Sequence, residues 1–365
     1  MKVFDTKKNS AICVLPWVHK HSSIDGKTAP CCYSGSLKAD ESMSLLRRQM
    51  INGIKPRACN SCYLKEEESG YSPRIHETID WIKKFGEPEV DSPNVQFLDV
   101  RYDPTCNLKC KTCGPSDSTL WQKEKNIKIS VNQENKNYLL NVDKNKLKKV
   151  YLAGGEPTYI KDYVVFLQEL YEVNPMCEVV INTNLKRLPD IWKTIIKNFK
   201  KLTVICSCDA TGTLGTYVRY PLGWKEFENN VDWVSKNANF LQFNLVASNL
   251  TVHKLYETCT WMKKYSKNIN LSILSSPKYF TECSVPLNHR KTYLDNIEKL
   301  SKFPVAVHQA MNFRSKIKYL YEKYKNSAYD SALHLKLKDE VCEQDSHRSL
   351  QLVDVDRFLY SWIHG

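Results

Sequence analysis

The sequence predicts an α/β protein whose main domain is a parallel sheet, and an open, partial barrel is the first interpretation. Two observations support this. From about residue 95, short apolar runs alternate with segments of helical period, and the alternation stops after six units. Alternating strands and helices are typical of βαβ units and a parallel sheet, and six units fall short of a complete eight-unit barrel. A doubly wound sheet is the alternative, because one sequence does not give the strand order.

The predicted strands and helices of this domain follow one another in regular order. Strands are expected at residues 95–100, 149–153, 178–182, 202–207, 240–246 and 268–274. Helices are expected between them at residues 116–125, 160–171, 189–199, 224–236 and 252–265. Active sites of barrels form at the carboxyl ends of the strands, so the residues that follow each strand are the first candidates for function.

Composition divides the chain of 365 residues into four regions. Residues 1–70 hold five cysteines and only short periodic runs, among them a predicted helix over Met43–Ile51, which indicates a small module held by a metal centre. Residues 71–94 are a predicted helical connector that ends in a proline-containing linker. The partial barrel takes residues 95–285, and a mainly helical C-terminal extension takes residues 286–365.

Composition also limits the class of protein. No stretch approaches the roughly 20 apolar residues of a membrane span, and the N-terminus lacks the basic and then apolar layout of a secretory signal. A cytoplasmic protein without a membrane partner is therefore expected. Cytoplasmic thiols stay reduced, so the 14 cysteines are expected to serve metal binding or catalysis rather than disulfides. The net charge of +13 permits nucleic-acid binding, but a lysine-rich solvated surface is the simpler explanation.

Cys106, Cys110 and Cys113 follow the first predicted barrel strand with the spacing Cys-x3-Cys-x2-Cys. Three thiolates on one loop can ligate three irons of a cubane cluster, whereas iron–sulfur clusters normally take four cysteines. One iron is then left open for an exchangeable ligand. The alternatives are a partial zinc site, although zinc prefers two paired Cys-x2-Cys units, or three unrelated buried cysteines.

This region resembles the radical S-adenosylmethionine (radical SAM) superfamily, whose hallmark is the same three-cysteine spacing after the first strand of a partial barrel. The resemblance implies a partial (β/α)6 barrel of the radical SAM type. It also implies that a four-iron four-sulfur cluster with one open iron, held by Cys106, Cys110 and Cys113, binds S-adenosylmethionine. One electron then cleaves this cofactor to a 5′-deoxyadenosyl radical, which abstracts hydrogen from a substrate. Thr112 departs from the family, which usually has an aromatic residue before the third cysteine.

Further segments match the superfamily in the expected order. The cofactor-binding residues that the resemblance implies are Gly154, Gly155, Glu156, Pro157, Asn182, Thr183, Ser207, Asp209 and Arg219. The Gly-Gly-Glu-Pro segment contacts the methionine amino group in relatives, and the Thr-Asn segment contacts the ribose. Ser207 and Asp209 resemble the family's Ser-x-Asp segment, and Arg219 matches an arginine near the methionine carboxylate, which a guanidinium can pair bidentately. Each polar residue could instead cap a helix from a loop.

A second cysteine group lies in the first 70 residues. Cys13 is followed by Gly26, by Cys31 after four intervening residues, and by the pair Cys59 and Cys62. This order resembles the opening of SPASM and twitch domains, which bind auxiliary iron–sulfur clusters. The resemblance implies a one-cluster, twitch-like module with an auxiliary 4Fe–4S cluster on these four cysteines. In most relatives this module follows the barrel, whereas here it precedes it.

Several cysteine assignments remain open at this point. Cys32 competes with Cys31, although the glycine spacing favours Cys31, and a structural zinc site on the same four thiolates is the alternative to a cluster. Cys283 lies in a predicted loop near the barrel mouth and is a candidate catalytic residue for a substrate-side step such as hydrogen-atom donation. The other cysteines are predicted to be packing residues: Cys177, Cys206, Cys208, Cys259 and Cys342.

The resemblance favours a radical SAM enzyme that acts on a peptide or protein, because the twitch-like module is typical of such enzymes. A small-molecule substrate is also compatible with the sequence, and a reductant such as flavodoxin or ferredoxin is an implied partner. One alternative is a radical SAM enzyme that modifies RNA or a nucleoside, which the positive charge would suit. A non-enzymatic iron–sulfur redox protein is the other alternative, and the Gly-Gly-Glu-Pro segment disfavours it.

Overall fold

A computed structural model describes residues 3–22 and 29–365, which form seven β-strands and sixteen α-helices. The strands are β1 His19–Ser22, β2 Phe97–Val100, β3 Lys149–Leu152, β4 Glu178–Thr183, β5 Leu202–Ser207, β6 Phe240–Ala247 and β7 Ile269–Ile273. The helices are α1 Leu15–Val18, α2 Met43–Ile51, α3 Asn60–Ser69, α4 Pro73–Phe85, α5 Thr119–Glu124, α6 Gln133–Asn141, α7 Lys161–Val173, α8 Asp190–Asn198, α9 Gly212–Val218, α10 Trp224–Asn237, α11 Leu255–Lys263, α12 Arg290–Lys299, α13 Val307–Asn326, α14 Ser331–Ser346, α15 Leu352–Val355 and α16 Arg357–His364. Within these residues, no helix is long and apolar enough to cross a membrane.

The sheet is parallel throughout, and its strands are hydrogen-bonded in chain order from β1 at one edge to β7 at the other. Sequential order means that every crossover winds in the same direction, as in a barrel, whereas a doubly wound sheet reverses direction at a switch point. The register keeps neighbouring strand ends level, with Val100 opposite Leu152 and Leu152 opposite Ile181. The open, partial barrel is therefore confirmed, and the doubly wound alternative is wrong.

Strands β2 to β7 coincide with the six predicted strands to within two residues at each end. Strand β1 was not expected, and it corrects the six-strand count: His19–Ser22 lies in the N-terminal region and pairs in parallel with β2. Its sequence, His-Lys-His-Ser, lacks the β-branched and aromatic residues that mark strands. Helices α6 and α9 were also not expected. Gly26, the glycine of the twitch-like pattern, lies outside the described residues.

The two faces of the sheet differ in chemistry because successive strand residues point to opposite sides. One set of alternating residues, including Leu98, Val150 and Val204, packs in the main core with the crossover helices. The opposite set forms the concave face of the partial barrel and is largely polar. It includes Asp99, Tyr151, Asn182, Ser207, Asn244 and Asn270. The candidate chemistry therefore lies on the concave face and at the carboxyl ends of its strands.

The terminal regions flank the two edges of the sheet. A second core cluster joins the N-terminal region, with Trp17 and Tyr63, to Trp81 of α4 and Phe97 of β2. At the other edge, α13 packs on β7. The later C-terminal helices return to the cysteine loop, because Lys111 Nζ lies 2.6 Å from Asp345 Oδ1 of α14. The C-terminal extension thus supports both the sheet edge and the loop that follows β2.

Candidate functional site

The three-cysteine loop follows β2 at the carboxyl end of the sheet. Its backbone is fixed to a neighbouring loop, since the amide of Lys109 donates to Tyr220 O at 2.7 Å and the amide of Lys111 donates to Val218 O at 2.8 Å. The Trp121 indole also donates to Cys110 O at 2.9 Å. The loop is therefore held in place before any ligand binds.

The three thiols on this loop are half-buried, and burial is the largest effect on the pKa of each. It raises the pKa of Cys106 to about 12, and it also raises the pKa of Cys110 and of Cys113. At Cys110 the nearby guanidinium groups of Arg219 and Arg348 oppose this rise. Thiols with pKa values raised in this way stay protonated at neutral pH unless a bound metal stabilises the thiolate form. A metal ion or an iron–sulfur cluster would supply that stabilisation.

Gly154 and Gly155 press the turn after β3 against the chain that leads into the cysteine loop. The amide of Gly155 donates to Asp103 O at 2.9 Å, and Gly154 has a φ of +103°. A Cβ atom at Gly155 would lie 2.2 Å from Thr105 O, which is an impossible contact with backbone. Both positions therefore require glycine, and the reason lies in the protein's own packing next to Cys106.

Glu156 is fully buried, and its carboxylate accepts hydrogen bonds from several groups of the chain. Thr183 Oγ1 donates at 2.6 Å, the amide of Asn184 at 2.7 Å, and the amide and hydroxyl of Thr158 at 3.1 and 2.8 Å. Burial raises the pKa of Glu156, while these donors oppose the rise. The carboxylate thus joins the turn after β3 to the end of β4. Pro157 begins the short helical turn that follows it.

Residues at the end of β4 connect this network to the cysteine loop. Asn184 Nδ2 donates to Asn107 Oδ1 at 2.8 Å and lies 3.9 Å from Cys106 Sγ. The Asn182 side chain faces the concave side, where Ser207 Oγ donates to its Oδ1 at 3.2 Å. The structure therefore brings the predicted residues of β4 and β5 together along the concave face.

Asp209 and Arg219 form a buried ion pair beyond the end of β5. Arg219 Nη1 lies 2.8 Å from Asp209 Oδ2, and Asp209 Oδ1 accepts from the amide of Val246 at 2.9 Å. The charge of Cys110 acts on this guanidinium, and Arg219 Nε is buried without a hydrogen-bond partner in the described part of the chain. Nε and Nη1 of Arg348 are likewise unpartnered among the described residues. Unpaired buried donors of this kind are costly, and an anionic ligand would satisfy them.

The N-terminal cysteines converge on a second pocket. Cys13, Cys31, Cys59 and Cys62 line it together with Arg74, and each of these four thiols is buried. Burial raises the pKa of Cys13, Cys31 and Cys59 to about 12. Within the described part of the chain, no group of three or more His, Cys, Asp or Glu side chains is drawn together closely enough to hold a single metal ion.

Cys32 does not line this pocket. Burial raises the pKa of its thiol most, and the charges of Asp99 and Arg101 are the next largest effects on it. Cys283 contacts Glu282, with Sγ 3.6 Å from Oε1, and its carbonyl accepts from the amide of Asp330. These contacts lie among the C-terminal helices rather than on the concave face. Four of the predicted packing cysteines are buried, whereas Cys342 is exposed, which corrects that assignment.

Comparison with known proteins agrees with this geometry. The sequence-family model of the radical SAM superfamily matches residues 101–211, which span the cysteine loop, the turn after β3 and the end of β5. Residues 101–211 form a radical SAM domain. On this ground the chain is an enzyme. The matched segment contains every residue of the predicted cofactor site except Arg219.

Other similarities of the chain are more distant. Over 90 residues it is 28% identical to a GTP 3′,8-cyclase of Nautilia profundicola, covering 25% of this chain and 28% of that protein. The chain thus spans little more than a quarter of this curated relative. A structure of anSMEcpe with bound AdoMet is 16% identical over 60% of this chain and 59% of its own, with a TM-score of 0.43. Streptococcus suis SuiB is 14% identical over 84% of this chain and 73% of its own, with a TM-score of 0.40.

Some residues around the radical SAM domain were not predicted from the sequence. Asn184 belongs to the segment from Asn182 that resembles the family's Thr-Asn segment, but it was not among the predicted cofactor-binding residues. Lys111 and Asp345 are separated by 234 positions, so no local pattern connects them. Arg348 was not predicted for the same reason, because only the folded chain brings α14 and the segment after it to the cysteine loop.

Proposed function

We propose that this chain reductively cleaves S-adenosylmethionine and uses the resulting 5′-deoxyadenosyl radical to abstract hydrogen from a peptide or protein. The observation that carries the proposal is the position of the three thiols. Cys106, Cys110 and Cys113 lie on one fixed loop at the carboxyl end of a parallel partial barrel, where barrel enzymes bind their substrates.

The residues around this loop fit a four-iron four-sulfur cluster and S-adenosylmethionine. Three thiols with raised pKa values would become thiolate ligands on binding iron, which leaves one iron open. When bound, the cluster would supply the electron that cleaves the sulfur–carbon bond of S-adenosylmethionine to methionine and the 5′-deoxyadenosyl radical. The chain itself orients this cofactor, excludes water and holds the substrate within reach of the radical.

Arg219 is the residue we assign to the methionine carboxylate. Its Nη1 is fixed by Asp209, and its Nε is buried with no hydrogen-bond partner among residues 3–22 and 29–365. A guanidinium held in this way keeps a donor for a carboxylate ligand at little further cost in side-chain entropy. Ser207 and Asn182, joined on the concave face, are assigned to the ribose hydroxyls. Glu156 then acts by positioning the end of β4, because its oxygens already accept four hydrogen bonds.

We assign an auxiliary 4Fe–4S cluster to Cys13, Cys31, Cys59 and Cys62. The four thiols line one pocket, so one shared metal centre could use all of them as ligands. Four thiolates can also bind zinc, but the resemblance of their order in the sequence to twitch domains favours the cluster. Cys31 is preferred to Cys32, which faces Asp99 instead.

A peptide substrate is supported by this twitch-like module. All fourteen cysteines are free thiols, which suits a reducing compartment, and we propose a cytoplasmic enzyme that takes electrons from a flavodoxin or ferredoxin. A nucleoside or nucleotide substrate is the second candidate. It is supported by the similarity of 90 residues to a protein named GTP 3′,8-cyclase and by the net charge of +13.

The test is anaerobic reconstitution of the full chain with iron and sulfide, followed by reductant and S-adenosylmethionine. We expect 5′-deoxyadenosine from the wild type and none from Cys106→Ala. Cys177→Ala, which removes a buried packing thiol directly before β4 at the amino end of the sheet, should retain its formation. Formation of no 5′-deoxyadenosine by a fully loaded wild type would contradict the proposal.

Metal analysis tests the second cluster separately. Two 4Fe–4S clusters correspond to about eight iron atoms per chain, and one cluster to about four. Cys31→Ser should lower the iron content by about four atoms, whereas the matched variant Cys32→Ser should leave it unchanged. About one zinc per chain, lost in Cys31→Ser, would instead establish the zinc alternative.

A further inference from the structure

A row of carboxamide side chains crosses the concave face from β6 to α13. Gln309 Nε2 of α13 donates to Gln242 Oε1 at 3.1 Å, and Gln242 Nε2 donates to Asn244 Oδ1 at 3.4 Å. Asn270 Nδ2 of β7 donates to the same Asn244 oxygen at 3.1 Å. Gln309 Oε1 is buried and has no hydrogen-bond partner among the described residues. The row therefore ends at Gln309 in an unused acceptor.

At its other end, the row of carboxamides contacts the ammonium group of a lysine. Lys316 Nζ of α13 donates to Asn270 Oδ1 at 3.3 Å, and no carboxylate of the described residues forms an ion pair with it. Burial, and then the charge of Lys65 in α3, lowers the pKa of Lys316 to about 8. Lysine is seldom buried without an acidic partner because desolvation of the charge is costly. The arrangement thus presents a partly desolvated ammonium that lacks its counter-ion.

The position of Lys316 relates it to the proposed cofactor site. Ser207 pairs in register with Asn244, and Asn244 pairs with Asn270, which holds Lys316. Neighbouring strands lie about 4.8 Å apart, so Asn270 lies about 10 Å from Ser207 across the concave face. The row therefore begins one strand away from the residues assigned to S-adenosylmethionine and extends to the wall formed by β7 and α13. A group bound at Lys316 would lie beside the cofactor.

We propose that Lys316, supported by Asn270, binds a carboxylate of the substrate, and that Gln309 accepts a backbone N–H of the same substrate. This rests on the proposed function and narrows it to a peptide with an acidic side chain or a C-terminal carboxylate near the reacting carbon. The Lys316 ammonium has a neutral amide as its hydrogen-bond partner, and the charge of Lys65 that acts on it is also positive, so the site favours an anion such as a carboxylate. Phosphates are more often held by arginine forks or by backbone N–H groups at helix N-termini, and the groups named here include neither.

The experiment measures protection of Lys316 from acetylation in the full-length reconstituted enzyme, by mass spectrometry of its peptides. The probes are an N-acetylated, C-amidated tetraglutamate and the uncharged tetraglutamine of the same length. At about twice its Kd, tetraglutamate should slow acetylation of Lys316 about threefold, and tetraglutamine should not. Exposed Lys318, two positions along α13, serves as the internal reference and should react at an unchanged rate.

Variants test the same contact by direct binding of tetraglutamate. Loss of a hydrogen bond to a charged group should make binding about tenfold weaker in Lys316→Met. Lys316→Arg, which keeps the charge, should recover most of the affinity, and Lys318→Met should bind as the wild type does. If Lys316→Met does not fold, as judged by circular dichroism, the labelling of the wild type decides alone.

Three results would overturn the inference: equal protection by both peptides, no protection by either at millimolar concentration, or protection by inorganic triphosphate but not by tetraglutamate. The last result would indicate that the site binds the phosphates of a nucleotide substrate instead. Cleavage of S-adenosylmethionine by the wild type without substrate is measured separately. Failure of the proposed function and failure of the carboxylate site are therefore distinguishable.

Discussion

The buried ammonium of Lys111 lies 2.6 Å from Asp345 Oδ1, and this ion pair joins the cysteine loop to the C-terminal helices. Asp345 also accepts from Tyr217 OH at 2.9 Å and from the amide of Leu352 at 2.8 Å. The Lys111 ammonium stands 4.1 Å from the centre of the Tyr217 ring. Because Lys111 lies between two of the three cysteines, the C-terminal extension helps to support the cysteine loop.

Removing the carboxylate of Asp345 should therefore destabilise both the fold and the cysteine loop. Burial lowers the pKa of Lys111 to about 8 although Asp345 opposes this fall, so in Asp345→Asn the pKa falls further and the buried amine either loses its proton or remains as an unpaired charge. Breaking a buried pair from one side costs about 3–5 kcal/mol. Urea unfolding of the iron-free protein measures this loss, and the reconstituted variant should also retain less iron.

The matched control is Glu343→Gln, which removes the partner of Lys125 two positions away on α14. That pair is largely exposed, and exposed pairs contribute about 0–1 kcal/mol. Equal stability of the Asp345 and Glu343 variants would show that the buried pair does not support the loop.

A single methyl group at Gly155 should disturb the cysteine loop. A Cβ atom there would meet the carbonyl oxygen of Thr105 at 2.2 Å, and only a backbone shift next to Cys106 can relieve the contact. Overpacking of this kind costs about 1–3 kcal/mol. We expect Gly155→Ala to unfold at lower urea concentration and to hold less iron after reconstitution.

Gly114→Ala is the control in the same loop, because a Cβ atom there has no neighbour within 4 Å. If both alanine variants hold iron as the wild type does, the close approach of the turn after β3 has no role in shaping the cluster site.

Glu156 offers a third prediction, since its role differs from the one that the family resemblance implies. In Glu156→Gln, one acceptor oxygen becomes an NH2 group facing donors of the chain, such as Thr183 Oγ1 or the amide of Asn184. A buried donor left without an acceptor costs about 1–3 kcal/mol. The variant should lose stability, and its reconstituted cluster should decay faster in air because Asn184 is displaced from Cys106.

The exposed Glu172, at the end of α7, supplies the control variant Glu172→Gln, which should keep the stability and cluster lifetime of the wild type. If Glu156→Gln lost affinity for S-adenosylmethionine with unchanged stability, the carboxylate would bind the cofactor directly, as in the family pattern.

The sequence was sufficient to predict those elements that a local pattern of residues identifies. Strands β2 to β7 carry apolar alternation, and the spacing of Cys106, Cys110 and Cys113 is enough by itself to identify their loop. Strand β1 was missed because its polar residues form a strand only through pairing with β2. Contacts over long separations were also missed. Lys111 with Asp345, and Lys316 with Asn270, depend on how the C-terminal helices return to the sheet, and no periodicity records that path.

The last prediction concerns pH and the docking of α16. His253 Nε2 lies 2.8 Å from Asp356 Oδ2, and Asp356 Oδ1 accepts from the amide of Leu359 as the N-cap of the helix. Burial alone would raise the pKa of Asp356, but the hydrogen bond and charge of His253 hold it below its usual value. The folded state therefore binds this proton less readily than the unfolded chain. The resulting stability is present above about pH 4 and is lost as the pH falls through the folded pKa.

Asp356→Asn isolates this contribution, because asparagine still caps a helix but cannot carry the charge. We expect the variant to lose about 2 kcal/mol of unfolding free energy near pH 7, with the difference from the wild type shrinking as the pH falls below about 4. Urea unfolding across this range measures the difference, and the exposed Asp354→Asn should show none. A difference that stays constant from pH 7 to the lowest pH at which the protein folds would mean that the charge of Asp356 does not hold α16 in place.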